Sequence, residues 1–284
     1  MLVNGETAFT GIIGRPVRHS LSPVFQNAAF EAVGLNWVYL AFDVVPDELR
    51  KSIAGLKAGG CRGLNITMPY KREILPLLDE LDETALRVDA VNTVEFRAGR
   101  LIGHNTDGAG FIKSLRQDAG FDPRGADVLI IGAGGAARSI SVALGQAGAR
   151  SLIVLNRDVG KAERLVMLID SYFPDCLVEA AGSGHADPAG FDLLVNATSV
   201  GMENNPGLPL ATEGLTSAQV VYDIIYWPLE TQFLKAAAEK GARTINGLRM
   251  LLFQGAESFS IWTGLEAPIG RMAAALEERR PTKE

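Results

Sequence analysis

The chain has 284 residues, 47% of them hydrophobic and 21% charged, with a formal net charge of −6. This globular composition carries apolar mass for one large domain or two ordinary ones, and its acidic balance excludes a global basic field for nucleic acid. No apolar run reaches the ~18 residues of a membrane span, and the start "MLVNGETAFTG" lacks the regions of a secretory leader, so a soluble cytoplasmic protein is expected. In chain order, "FTGIIG" (9–14) reads as a strand. "SPVFQNAAFEAVG" (22–34) reads as a helix capped by Ser22, with Pro23 in its first turn and Gly34 at its end. "NWVYLAFDV" (36–44) is the next strand, and "PDELRKSIAGLKAGG" (46–60) is an amphipathic helix with Leu49, Ile53 and Leu56 on one face. "RGLNIT" (62–67) is a third strand, and the alternation predicts a parallel α/β sheet. Within 90–108, two short strands join through "RAG" as a hairpin.

From Asp107 the pattern resets. "GAGFIKSLRQDAG" (108–120) reads as a helix, and the stretch 126–158 as strand, glycine turn, helix and strand. "VGKAERLVMLID" (159–170) follows as a helix, then strands at "FDLLVNAT" (191–198) and "QVVYDIIY" (219–226). The chain ends with helices at 230–241, 248–264 and 268–280 and a charged tail. With no internal repeat, two α/β units are expected, the first of about 105 residues and the second of about 140.

The stretch "VLIIGAGGAARS" places Gly132, Gly134 and Ala137 at G-x-G-x-x-A spacing between a buried strand and a helix. Gly132 permits a tight turn, Gly134 lets backbone approach a pyrophosphate, and Ala137 allows close helix–strand packing; the helix N-terminus offers amide donors to phosphate. A dinucleotide is the expected ligand. At the end of the second strand stands "VLNRDVGK". Arg157 suits a 2′-phosphate or an adenine face, while Asp158 suits ribose hydroxyls and repels a phosphate; Lys161 can neutralise it. Asp158 also fits as an ordinary helix cap. The balance favours NAD, with NADP as the alternative.

Cys61 and Cys176 stand far apart and make no disulfide framework, which points to a reducing compartment. His19, His104 and His185 do not pair at ligand spacing, so no metal is expected.

Seven motifs in order complete the reading: "HSLSP" (19–23), "NITMPYK" (65–71), "AVNT" (90–93), "NTDG" (105–108), "GAGGAA" (132–137), "NATSVGM" (196–202) and "NGLRMLLFQGA" (246–256). With them the chain resembles shikimate dehydrogenases and the related quinate/shikimate dehydrogenases over nearly its whole length. The resemblance implies a substrate-binding catalytic domain of residues 1–106 plus 247–284 and a Rossmann-like dinucleotide-binding domain of residues 107–246. It implies reversible hydride transfer between a nicotinamide and a ring alcohol, with Lys71 and Asp107 as the catalytic pair. It assigns Ser20 and Ser22 to the substrate carboxylate, Asn65, Thr67, Asn92 and Gln254 to the ring hydroxyls, and Tyr226 to the neighbourhood of the carboxylate. Gly132, Ala133, Gly134, Gly135, Ala136, Asn156, Arg157, Asp158, Thr198, Ser199 and Gly247 fall to the cofactor. The partner it implies is a small hydroxy acid, shikimate or quinate, in a monomer or homodimer. NADP-preferring members typically carry "NRT" followed by Arg three residues later; the equivalents here are Asp158 and Lys161. "RPVRHSLSPVFQN" and "LLFQGAESFSIWTG" resemble the quinate/shikimate members.

A lysine titrating near ~10.4 is protonated at neutral pH and suits a general acid for ketone reduction. A neighbouring carboxylate raises that value and burial lowers it. A non-catalytic protein that only senses dinucleotide or substrate is the reading from another class; it predicts loss of Lys71 or Asp107, and both are present.

Overall fold

The computed structural model describes residues 3–182 and 187–279, so His185 and the tail beyond Arg279 lie outside the described residues. The chain forms two compact units, Met1–Thr106 with Leu252–Glu284, and Asp107–Leu251.

The first unit is built on β1 (Ala8–Gly14), α1 (Ser22–Ala32), β2 (Trp37–Asp43), α2 (Leu49–Ala58), β3 (Gly63–Ile66), β4 (Glu80–Leu81), α3 (Glu83–Val88), β5 (Thr93–Arg97) and β6 (Arg100–His104). It is completed by most of α8 (Leu248–Thr263) and by α9 (Ile269–Glu278), which packs on α1. The sheet order is β2-β1-β3-β5-β6-β4. Strands β2, β1 and β3 are parallel, because α1 and α2 supply the crossovers that parallel neighbours need. The sheet is mixed rather than wholly parallel: β5 is antiparallel to β3, and with β6 it forms the expected antiparallel hairpin. Only Ala98 and Gly99, at φ 49° and 77°, link β5 to β6, a two-residue turn of the kind that closes antiparallel hairpins. Leu49 and Ile53 of α2 are buried with Leu64, Ile66, Tyr70 and Val94, and Leu56 packs against them.

The cap of α1 differs from expectation. Ser22 lies inside the helix, and the cap residue, Leu21, makes no side-chain bond. Instead Ser20 Oγ accepts the Ser22 amide at 3.2 Å. Two small elements were not visible to periodicity. Helix α3 has six residues and is set by Asp82, whose Oδ1 accepts the Ala85 amide at 2.8 Å; β4 has two residues.

The second unit contains α4 (Asp107–Ala119), β7 (Asp127–Ile131), α5 (Gly135–Gln146), β8 (Ser151–Leu155), α6 (Val159–Tyr172), β9 (Leu177–Ala181), β10 (Leu193–Asn196), β11 (Val220–Asp223), α7 (Gln232–Glu239) and β12 (Arg243–Ile245). All six strands are parallel in the order β12-β11-β10-β7-β8-β9. This is the doubly wound dinucleotide-binding order, in which the winding reverses between β7 and β10 and ligands bind beyond the strand C-termini at that point. Helices cover both faces, so β7 is a continuous apolar run: Val128 and Ile130 join one core, Leu129 and Ile131 the other.

Candidate active site

In the first unit one end of the sheet's inner strands gathers most of the expected substrate residues. Strands β1 and β3 end there, antiparallel β5 begins there, and β6 ends there. The loops after β1 and β3 are tied together: the Thr67 amide donates to Ile13 O at 2.9 Å and the Arg15 amide to Met68 O at 3.0 Å. Gly14 permits this closeness, since a Cβ there would lie 2.3 Å from Thr67 Cγ2. Ser20 and Thr67 are half-buried on these loops, and Ser22 is buried. Lys71 is also half-buried and is fixed through its backbone, where its carbonyl accepts the Val91 amide at 2.8 Å. The adjacent Tyr70 ring is buried, and its hydroxyl donates to Val44 O.

Behind the loops lies a buried polar cluster. Asn65 Nδ2 reaches Asn92 O, Thr93 Oγ1 and Ser258 Oγ at 3.0–3.2 Å, and Asn65 Oδ1 accepts from Tyr39 Oη at 2.7 Å. Asn92 Oδ1 accepts the Thr106 amide at 2.8 Å; Asn92 Nδ2 donates to Thr106 Oγ1 at 2.9 Å and to Gln254 Oε1 at 3.3 Å. Burial pushes the Tyr39 phenol well above its ordinary pKa, against the opposing pull of the Ser22 hydroxyl. Four members, Tyr39, Thr93, Thr106 and Ser258, are absent from the sequence-derived site. Thr93, Thr106 and Ser258 sit inside motifs that pointed there; Tyr39 lies in a segment read only as a strand. Asp107 is buried and opens α4 in the second unit, where a helix N-terminus favours a carboxylate.

The second unit carries the glycine turn. Gly132 stands at φ +114°, and a Cβ there would lie 2.9 Å from Ala197 O and 3.0 Å from Thr198 Cγ2. Around Gly134 there is open space. Ala133 is half-buried, as are Gly135 and Ala136 at the start of α5, where helix amides lack intrahelical partners. An approachable backbone, free amides and a glycine-only conformation fit a pyrophosphate. Asn156 Nδ2 donates to Asp158 O at 2.8 Å, which shapes the turn carrying the exposed Arg157 and Asp158. Asp158 occupies the cap position of α6 but makes no side-chain cap bond. Its Oδ2 lies 4.0 Å from Lys161 Nζ. Thr198 Oγ1 donates to Asn196 Oδ1 at 2.7 Å, Ser199 Oγ accepts from Asn205 Nδ2 at 3.0 Å, and the Gly247 amide donates to Ile225 O at 3.0 Å. Tyr226 is half-buried, and burial raises its phenol pKa. Among the described residues no group of three His, Cys, Asp or Glu side chains could hold a metal ion, and no helix is long and apolar enough to cross a membrane.

Three sequence profiles match: the shikimate dehydrogenase substrate binding domain over residues 12–94, shikimate/quinate 5-dehydrogenase over 115–180, and the shikimate 5′-dehydrogenase C-terminal domain over 247–277. The chain is 46% identical over 280 residues to the shikimate dehydrogenase (NADP(+)) of Moorella thermoacetica, covering 97% of this chain and 95% of that protein. The chain belongs to the shikimate dehydrogenase family. Solved members share its fold. A shikimate dehydrogenase crystallised with NADP+ superposes with a TM-score of 0.93 at 42% identity, covering 99% of this chain and 98% of that one. The Listeria monocytogenes shikimate 5-dehydrogenase, in complex with shikimate and NAD, gives 0.89 at 38% identity, covering 96% and 98%. Membership makes this chain an oxidoreductase that works with a nicotinamide dinucleotide.

Proposed function

We propose that the chain is a shikimate dehydrogenase that interconverts 3-dehydroshikimate and shikimate, with the first unit holding substrate and the second the dinucleotide. What supports this reading is the buried polar cluster of the first unit, where Asn65 bonds Ser258 and Asn92 bonds Gln254, with Ser20, Ser22 and Thr67 on or beside the tied loops after β1 and β3, within a chain related end to end to shikimate dehydrogenases. Hydroxyls and amides in a buried setting select a polyhydroxylated acid, because a substrate lacking those groups leaves them unpaired. Ser20 and Ser22 at the start of α1 take the carboxylate, with help from the helix dipole. Asn65, Thr67, Asn92 and Gln254 orient the ring hydroxyls and hold the carbinol carbon for reaction. Gly132–Ala136, Asn156, Arg157, Thr198, Ser199 and Gly247 would hold the dinucleotide, which would supply the hydride for reduction and accept it in oxidation. Lys71 Nζ gives a proton to the oxygen in the reductive direction and takes it back in the oxidative one, and Asp107 is the second member of the proposed catalytic pair.

For the cofactor, NADP is the proposed working form. Arg157 and Lys161 put two cations against the single carboxylate of Asp158, and the relative from M. thermoacetica is an NADP(+) enzyme. The sequence-based preference for NAD rested on Asp158, which is not consumed as a helix cap and so faces the same solvent as Arg157. Quinate remains the second substrate reading, since the profile matched over 115–180 is that of shikimate/quinate 5-dehydrogenase. A kinetic grid of shikimate and quinate against NADP and NAD tests all of this. The expected result is highest kcat/KM for shikimate with NADP. Turnover of quinate alone refutes the substrate, and a higher kcat/KM with NAD refutes the cofactor. No turnover in any combination leaves the sensing protein as the better reading.

A further inference from the structure

Asp223, the last residue of β11, is fully buried. No lysine, arginine or histidine pairs with it among the described residues; its carboxylate meets three hydrogen-bond donors instead. Oδ1 accepts from Asn196 Nδ2 at 3.0 Å and from the Ile225 amide at 3.1 Å, and Oδ2 accepts from Thr231 Oγ1 at 2.8 Å. Burial raises its pKa, with the three donors pulling the other way.

Each donor belongs to a segment next to the proposed cofactor residues. Asn196 ends β10, at the side where the winding reverses. Its Oδ1 accepts both the amide and the hydroxyl of Thr198, at 3.1 and 2.7 Å, and its Nδ2 also donates to Val200 O at 2.9 Å. The turn so formed closes on Gly132, where a Cβ would meet Ala197 O and Thr198 Cγ2. Ile225 receives the Gly247 amide on its carbonyl, and a Cβ on Gly247 would lie 1.9 Å from Ile224 O. Thr231 caps α7, accepting the Leu234 amide at 3.3 Å. Both turns and the helix start are therefore set by one acceptor-only group, which suits three converging donors.

We propose that Asp223 is a positioning residue for the dinucleotide: its carboxylate holds the turns after β10 and β11 in the arrangement that presents Thr198 and Gly247 to the cofactor. This rests on the reading above that those residues hold the dinucleotide. The test is fluorescence titration of the full chain with NADPH and NADH, alongside steady-state kinetics. Asp223→Ala is expected to raise the dinucleotide Kd and KM tenfold or more, while kcat at saturating dinucleotide stays within about threefold and the KM for shikimate within about twofold. Asp223→Asn still accepts from Asn196 and Ile225 and can turn its amide nitrogen to Thr231 Oγ1, so it is expected to restore the affinity to within about threefold of the parent. Should Asp223→Ala fail to fold, Thr231→Val carries the test: it removes one of the three ties and should weaken dinucleotide binding about threefold or more, with Thr231→Ser restoring it. A folded Asp223→Ala that binds dinucleotide within twofold of the parent overturns the inference alone, as does an Asn variant as weak as the Ala variant. A parent chain that binds neither dinucleotide overturns the cofactor reading, and this inference with it.

Discussion

Replacing Asp158 with Asn should raise the preference for NADP over NAD, by an amount set by the surroundings of the carboxylate. The Asp158 side chain is 57% exposed and that of Lys161 60% exposed, so water dominates the local dielectric. A 2′-phosphate of about −1.75 charge at ~6 Å from the carboxylate, with an effective dielectric constant of ~70, is repelled by about 1.4 kcal/mol before screening. Screening at 0.15 M salt, with a Debye length of ~8 Å, leaves about 0.7 kcal/mol; at 0.01 M, with ~30 Å, about 1.1 kcal/mol remains. Removing the charge should then raise the NADP/NAD ratio of kcat/KM about threefold at 0.15 M and about sevenfold at 0.01 M salt. The loss of a ribose hydrogen bond in the NAD complex, worth about 1 kcal/mol, adds a further factor of about five that does not depend on salt. Helix α6 should keep its stability, because the Asp158 side chain makes no cap bond. The assay is kcat/KM for shikimate oxidation with each dinucleotide at both ionic strengths. A ratio unchanged within 1.5-fold, as an order-of-magnitude bound on the Coulomb estimate, would refute the placement of Asp158 beside the 2′ position.

Lys71→Ala should lower kcat by roughly 10²–10⁴, the range for loss of a general acid–base, while dinucleotide titration stays within twofold of the parent; unchanged turnover would remove Lys71 from the chemistry. His104 Nδ1 lies 2.9 Å from Asp82 Oδ2 and Nε2 3.4 Å from Glu95 Oε2; burial lowers its pKa, but those carboxylates outweigh burial and the net shift is upward. Its stabilisation is therefore complete below the unfolded value of ~6.5 and fades as pH rises through the higher folded value. Urea unfolding should show a larger gap between the parent and His104→Asn at pH 6 than at pH 9, and equal gaps would count against the clamp. Gly63→Ala would set a Cβ 2.2 Å from Trp262 Nε1, which donates to Val94 O, so a loss of about 1–3 kcal/mol in unfolding free energy is expected from overpacking.

What the sequence made legible follows from the range of the interactions concerned. Strand β7 announces itself because both of its faces are buried, giving the run "DVLII", and the glycine turn follows from local backbone needs. Helix α3 and strand β9, with residues 177–181 half-exposed at a sheet edge, are too short or too mixed for a period to show. Ser22 looked like a cap because Ser before Pro usually is one; the chain enters α1 one residue earlier and hands that amide to Ser20. Tyr39 was invisible as a polar residue because its ring is core and only its hydroxyl reaches Asn65, 26 positions away. The same holds for Asp223, whose partners Asn196 and Thr231 lie 27 and 8 positions off. The roles of Lys71 and Asp107 came from the motif pattern rather than from periodicity, and the kinetics above test them.

The first unit is discontinuous: its sheet is made from residues near the start of the chain, while α9 and most of α8 come from the end. Gly255 supplies the carbonyl for the buried Gln26 amide, Ser258 bonds Asn65, and Trp262 Nε1 donates to Val94 O. During synthesis from the N-terminus those partners are missing until residues 255–262 emerge, whereas Asp107–Leu251 is contiguous and can close on its own core beforehand. The first unit thus waits, with Phe25, Phe30 and the Asn65 amide uncovered, for residues 252–279, which translation delivers only after the whole of the second unit. A premature stop near residue 250 would therefore release a chain whose second unit is contiguous and whose first unit is incomplete, exposing apolar surface rather than merely shortening the protein.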